Sequence, residues 1–224
     1  QVETQLLSSL EKVFLDEKPA APPLKYISAL RGETVNFQLV FSQNFADRLF
    51  AAVRIEGLLA PLVTIREVAH VPSAFPVFVN RDDYYLRCSP GLFPDALMPF
   101  FGTAKIIYDQ WRSLWVEFAV PRDAAAGVFP MEVILSNPDN RNEVYASRIL
   151  EIEIIDAVLP EQTLIHTEWF HCDCLAVYYN VPVFGEEHWK LMKNYIKNAV
   201  RYGANMLLTP VFTPPLDTEI GGER

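Results

Sequence analysis

Met206-Leu-Leu-Thr-Pro-Val-Phe-Thr-Pro-Pro-Leu-Asp-Thr-Glu-Ile-Gly-Gly-Glu-Arg224 closes the sequence. An apolar strand pattern here runs into a loop rich in Pro, Asp and Gly. Working back from it, residues 187–202 repeat apolar side chains at helical spacing, with Trp189, Met192, Ile196, Ala199 and Val200 on one stripe. Glu186 and Glu187 open that helix and Lys197 and Arg201 close it, as the macrodipole favours, and Gly203 supplies a left-handed stop. A further apolar strand pattern covers 164–169. Strand, helix, strand in that order builds a parallel sheet. Two parallel strands and one helix cannot bury both faces of such a sheet. We therefore expect the 224 residues to be the N-terminal piece of a longer protein.

Upstream of Val158-Leu-Pro160 the period changes. Val35, Phe37, Leu39 and Phe41 alternate with Asn36, Gln38 and Val40, the period of a half-buried strand. Further strands fit 51–56, 63–71, 114–120, 128–135 and 148–155, with Leu150, Ile152 and Ile154 on one face of the last. Arg31-Gly32, Gly57, Ala126-Gly127 and Asn137-Pro-Asp-Asn140 punctuate them as turns. This spacing predicts an antiparallel β-sandwich over 1–157, so the fold class is mostly β, and 158–224 open a second domain. Residues 80–102 break the rhythm and read as one long loop, with three prolines and Tyr84, Tyr85, Phe93, Phe100 and Phe101. That loop either docks against the second domain, reaches a ligand, or serves as a sticky interaction surface.

Half of the residues are hydrophobic and 12% are aromatic, which supports a sizeable core. The net charge of −9, from 19 basic and 28 acidic residues, disfavours nucleic acid and anionic membrane as partners and is compatible with a neutral sugar. No run of 18 or more apolar residues is present. Cys88, Cys172 and Cys174 form no disulfide framework and fit a reducing compartment, so a cytoplasmic location is expected.

Chemistry concentrates in His166-Thr-Glu-Trp-Phe-His-Cys-Asp-Cys174, at the carboxyl end of the first parallel strand, where ligands gather in barrels and open α/β sheets alike. Trp169 offers an aromatic face to a sugar ring and Asp173 a carboxylate to its hydroxyls. The competing reading makes Trp169 and Phe170 core and Asp173 the cap of a turn. His166, His171, Cys172, Asp173 and Cys174 are all possible metal ligands. The Cys-x-Cys spacing lacks a second pair, however, and no Pro-Cys-x-x-Cys accompanies His166-x-Glu168. We assign no metal and no cofactor. A second candidate is Asp217 in Thr213-Pro-Pro-Leu-Asp-Thr218, facing a ligand from a loop stiffened by two prolines or capping a helix. No phosphate-binding glycine loop, Gly-x-Ser-x-Gly or His-Glu-x-x-His occurs.

Four segments, Phe93-Pro-Asp-Ala-Leu-Met-Pro99, Trp115-Val-Glu-Phe-Ala-Val-Pro121 with Ala126-Gly-Val-Phe129, Glu168-Trp-Phe-His-Cys-Asp173 and Thr209-Pro-Val-Phe-Thr-Pro-Pro-Leu-Asp-Thr218, resemble glycoside hydrolase family 123 and its bacterial relatives. The resemblance implies a β-sandwich followed by a (β/α)8 barrel, of which 158–224 would be the first β-α-β elements. It also implies release of a terminal β-linked N-acetylgalactosamine from a glycan, with the substrate's acetamido group as nucleophile and an adjacent Asp-Glu pair in attendance, an exception to the usual two-carboxylate scheme. That pair belongs to a later barrel strand, so the resemblance places no catalytic residue in this chain. It carries over only Trp169, Asp173 and Asp217, as substrate-binding residues.

The leading reading is thus a glycoside hydrolase fragment acting on N-acetylhexosamine-containing glycans and inactive alone. The rival is a non-catalytic carbohydrate-binding or domain-assembly sandwich. An incomplete sheet and an uncovered helix stripe predict self-association of the 224-residue chain through 158–224. Light scattering checks this, and a monodisperse monomer would count against it.

Overall fold

The computed structural model describes residues 2–45 and 49–209. The chain separates into two compact units, Gln1–Leu159 and Pro160–Arg224.

The first unit consists of two five-stranded sheets. One holds, side by side, β1 (Val2–Ser8), β3 (Thr34–Gln43), β8 (Arg112–Ala119), β5 (Val63–Ser73) and β6 (Gly91–Pro99). The other holds β2 (Tyr26–Arg31), β10 (Val144–Val158), β9 (Gly127–Ser136), β4 (Leu49–Glu56) and β7 (Thr103–Ile106). Successive residues of a strand point to opposite faces, so each strand sends every second side chain inward. Phe37 and Leu39 of β3, Val116 and Phe118 of β8, Met131 and Val133 of β9, and Leu150 and Ile152 of β10 meet in one cluster shared by both sheets. Truncating a fully buried aromatic such as Phe37 or Phe118 costs about 3–5 kcal/mol in such cores. One glycine is demanded by close approach. Gly57 has φ +129°, and a Cβ there would stand 2.5 Å from the Pro130 carbonyl oxygen.

The sandwich departs from the sequence expectation in three places. First, β3 is buried on both faces rather than one. Residues 9–25 form a strap over its outer side, where Leu7, Val13, Val40 and Trp111 make a second, smaller core. Polar residues of the outer face tie the strap down. Gln38 Nε2 donates to the Ser8 and Glu11 carbonyls at 3.1 and 2.8 Å, and Ser113 Oγ donates to Gln38 Oε1 at 2.9 Å. The Trp111 amide donates to Leu15 O at 2.8 Å. Second, the pairing is not wholly antiparallel. β10 and β2 run parallel, with Ile152 opposite Ile27 and Ile154 opposite Ala29. No hairpin joins these strands, so no turn geometry forces them antiparallel. Third, residues 80–102 are not one loop. From Gly91 the chain is β6, antiparallel to β5 with Val71 opposite Phe93. β6 is an edge strand, where Pro94 and Pro99 are tolerated because one side of the strand needs no donors. Residues 74–90 remain irregular. Strands β1, β2 and β7 had no counterpart in the sequence reading.

In the second unit β11 (Thr167–Trp169) pairs parallel with β12 (Met206–Leu208). Between them lie α1 (Cys172–Tyr179) and α2 (Glu186–Arg201). α2 matches the sequence expectation and ends at Gly203, φ +94°. α1 was not expected. Nearly every residue of Cys-Asp-Cys-Leu-Ala-Val-Tyr-Tyr is apolar, so no polar face marks its period. It stops at Asn180, in the left-handed region at φ 53°. Only Met192 of the expected α2 stripe is buried, while Trp189, Ile196 and Val200 stand exposed.

His70 of β5 bonds through Nε2 to the Val13 carbonyl of the strap at 3.0 Å. Partial burial, with Arg112 nearby, holds its imidazole below the ordinary value, against the opposing pull of the Val13 bond. Above about pH 6.5 the ring is neutral folded or unfolded; below it the unfolded chain takes up the proton first, so stability falls with pH. Denaturant titrations from pH 7 downward are expected to show a steeper loss in the parent protein than in His70→Gln.

Candidate active site

The carboxyl end of β11 is assembled by the parallel pairing. Trp169 lies opposite Leu208, and the Phe170 amide donates to Leu208 O at 2.8 Å, carrying the ladder one residue past the strand. The opposite end of the pair is held by side chains. Asn205 Oδ1 accepts from the His166 amide at 2.8 Å, its Nδ2 donates to Leu164 O at 3.0 Å, and Gln162 Nε2 donates to Gly203 O at 3.0 Å. These bonds fix the register, and register decides which residue emerges at the end of the strand.

Trp169 is that residue. Its indole is 68% exposed and stacks on the His171 ring, with centroids 5.7 Å apart and planes within 7°. Among the described residues Trp169 thus lies at the surface. Asp173 follows in the first turn of α1, where the helix's unpaired amides favour a carboxylate. It is buried, caps nothing, and its Oδ1 finds no donor among the described residues. The same end of β11 thus presents an exposed aromatic face and an unsatisfied carboxylate oxygen. Asp217 and its proline loop lie outside the described residues.

Cys172, the first residue of α1, is buried, and Thr209 Oγ1 donates to its Sγ at 3.3 Å. Its carbonyl meets His188 Nε2 at 2.6 Å. His188 is fully buried, and its Nδ1 accepts the Phe184 amide at 2.8 Å. With Nδ1 an acceptor, the bond to Cys172 requires the proton on Nε2. This ring joins α2 to the start of α1 and holds Phe184 at φ 59°. Nothing in a local sequence pattern signals this contact, which reaches 16 residues back.

His166 Nε2 and Glu168 Oε1 pair at 2.6 Å on the exposed face of β11. Among the described residues no group of three His, Cys, Asp or Glu side chains converges to hold a metal ion. The sequence contains one adjacent Asp-Glu pair, Asp16-Glu17. It lies in the strap of the first unit, where Arg87 bridges both carboxylates at 2.8 and 3.3 Å.

Residues 169–223 match the family model described as the catalytic domain of glycoside hydrolase 123. Among solved structures, the chain is similar to a family 123 glycoside hydrolase from Clostridium perfringens, described for glycolipid glycan hydrolysis. That likeness has 16% identity and a TM-score of 0.71 over 92% of this chain and 38% of that one. The chain therefore spans well under half the length of that enzyme, and the likeness is one of fold. A ScaB type I cohesin from Pseudobacteroides cellulosolvens (13% identity, TM-score 0.28, 64% of this chain and 95% of that one) overlaps only loosely. So does the N-terminal domain of PorA (7% identity, TM-score 0.34, 69% of this chain and 99% of that one). No curated protein matches the chain.

Replacing His188 with Ala removes both of its bonds and leaves the Cys172 carbonyl and the Phe184 amide unpaired, a loss of about 2–4 kcal/mol. Hydrogen exchange is expected to show faster exchange in α1 and α2 of His188→Ala, with the sandwich amides unchanged.

Proposed function

We propose that the whole protein, being glycoside hydrolase 123-like, is a glycoside hydrolase that removes a terminal β-linked N-acetylhexosamine, with N-acetylgalactosamine as the leading candidate. The observation that carries the reading is the end of β11, where the exposed Trp169 face and the buried, donorless Asp173 Oδ1 lie within the family match. A buried carboxylate oxygen without a donor is costly. Rotation of the Asp173 side chain toward the surface brings that oxygen to a sugar hydroxyl, which supplies the missing donor, and the C–H face of the same ring covers the indole. Trp169 and Asp173 bind and orient the sugar in this reading, with Asp217 as a third contact from the second loop. His171 backs the indole and sets its plane.

The acetamido group of the substrate attacks the anomeric carbon, and an Asp-Glu pair outside this chain orients it and protonates the leaving oxygen. Asp16-Glu17 is no candidate for that pair, since Arg87 engages both carboxylates. The second unit supplies the opening β-α-β elements of the catalytic barrel. Its parallel β11–β12 pair supports this, as do the exposed Trp189, Ile196 and Val200, which also support self-association when nothing covers them.

Assayed with aryl N-acetylhexosaminides, the protein with its complete barrel is expected to release the aryl alcohol, and the 224 residues alone are not. Trp169→Ala is expected to raise KM about tenfold, and Asp173→Asn to lower kcat/KM by about 10–100-fold. Turnover only of substrates without an acetamido group would overturn the N-acetylhexosamine assignment. No turnover of any glycoside would overturn the hydrolase.

A further inference from the structure

The first unit holds a concave site of its own. A cleft of about 410 Å3 opens between the strap, the paired ends of β5 and β6, and residues 74–90, a size typical of small-molecule sites. Phe14, Val71 and Phe93 line it, and the Phe14 and Phe93 rings meet edge-on at 5.9 Å. Tyr84 and Tyr85 add two further aromatic rings from the irregular loop, the first almost wholly exposed and the second half-exposed. Lys12 of the strap and Asp95 of β6 also line the cleft, and neither has an ion-pair or hydrogen-bond partner among the described residues.

Arg87 is engaged differently. Its guanidinium lies 3.9 Å over the centre of the Phe14 ring and bridges Asp16 and Glu17, holding the Asp16 carboxyl below its ordinary value. The arginine thus shapes the aromatic lining, while Lys12 and Asp95 keep their hydrogen-bonding capacity.

This combination selects a ligand class. Arg87 is engaged by Asp16 and Glu17, and Lys12 and Asp95 are of opposite sign, so the lining has little net field to hold a phosphate or another polyanion. An apolar occupant would strip water from Lys12 and Asp95 and give nothing in return. The matching ligand is neutral, with an apolar face for the tyrosines and hydroxyls that both accept from an ammonium and donate to a carboxylate. We infer that this cleft binds one neutral pyranose residue of a glycan, against Tyr84 and Tyr85 and between Lys12 and Asp95. The site belongs to the first unit alone and stands whether or not the second unit serves hydrolysis.

The test titrates the 224-residue chain with methyl β-N-acetylgalactosaminide and methyl β-glucoside, read by saturation-transfer NMR. Millimolar binding of at least one glycoside is expected in a Trp169→Ala background, which removes the sugar contact proposed for the second unit, and about tenfold weaker binding when Tyr85→Ala or Asp95→Asn is added. These side chains are exposed, and matching circular dichroism spectra verify that the variants fold. Absence of binding in that background overturns the inference, as does binding there that survives both cleft variants. A monomer–dimer equilibrium abolished by Tyr84→Ala, without glycoside binding, would assign the cleft to a second copy of the chain and also overturn it.

Discussion

Two strands that run the same way cannot be joined by a tight turn, and the second unit is organised by that constraint. Once Thr167–Trp169 and Met206–Leu208 pair in parallel, the chain must travel the length of the strands between them, and it does so through α1 and α2. α1 starts at Cys172, just past β11, so chain continuity places its start at the end from which Trp169 emerges. His188 bonds that start to α2, so the position of Asp173 is set by the crossover helix as well as by its own. Trp169 and Asp173 lie four residues apart, one at the end of the strand and the other in the first turn of the helix that follows it.

The sandwich answers to a different requirement. Each of its sheets has an apolar face, and the shared cluster covers both at once. β3 goes further, because the strap covers its outer face as well. That second layer gives polar residues structural duties: Gln38 holds the strap backbone with Ser113 bonded to its amide oxygen, and His70 bonds the strap from β5. The strap also supplies Lys12 and Phe14 to the aromatic cleft. A segment with no regular structure thus completes the core and shapes a concave surface.

How much was readable in advance depended on how local the signal was. Strands with one clear inward stripe, such as β9 and β10, were placed within a few residues of their observed ends. Residues 80–102 read as loop from their prolines and aromatics, and only the place of β6 at the sheet edge makes Pro94 and Pro99 harmless there. α1 was missed because a helix apolar on nearly all sides shows no period. At the candidate site, residue types at the end of a parallel strand were enough to single out Trp169 and Asp173. They left open whether the indole was core or surface and whether the carboxylate capped a turn.

By itself the sequence determined the change of period at Val158-Leu-Pro160, the alternation that makes the first unit a sandwich, and the strand-helix-strand order that makes the second a parallel unit. These are properties of neighbours along the chain, where side-chain spacing alone decides which face turns inward. Tertiary structure decided the parallel β2–β10 pair, the strap over β3, the His188–Cys172 tie, the exposure of Trp169 and the donorless Asp173 Oδ1. Each of these depends on which groups at large sequence separation come to share one region of space, and a backbone carbonyl or a buried carboxylate finds or lacks its partner only after the chain has packed.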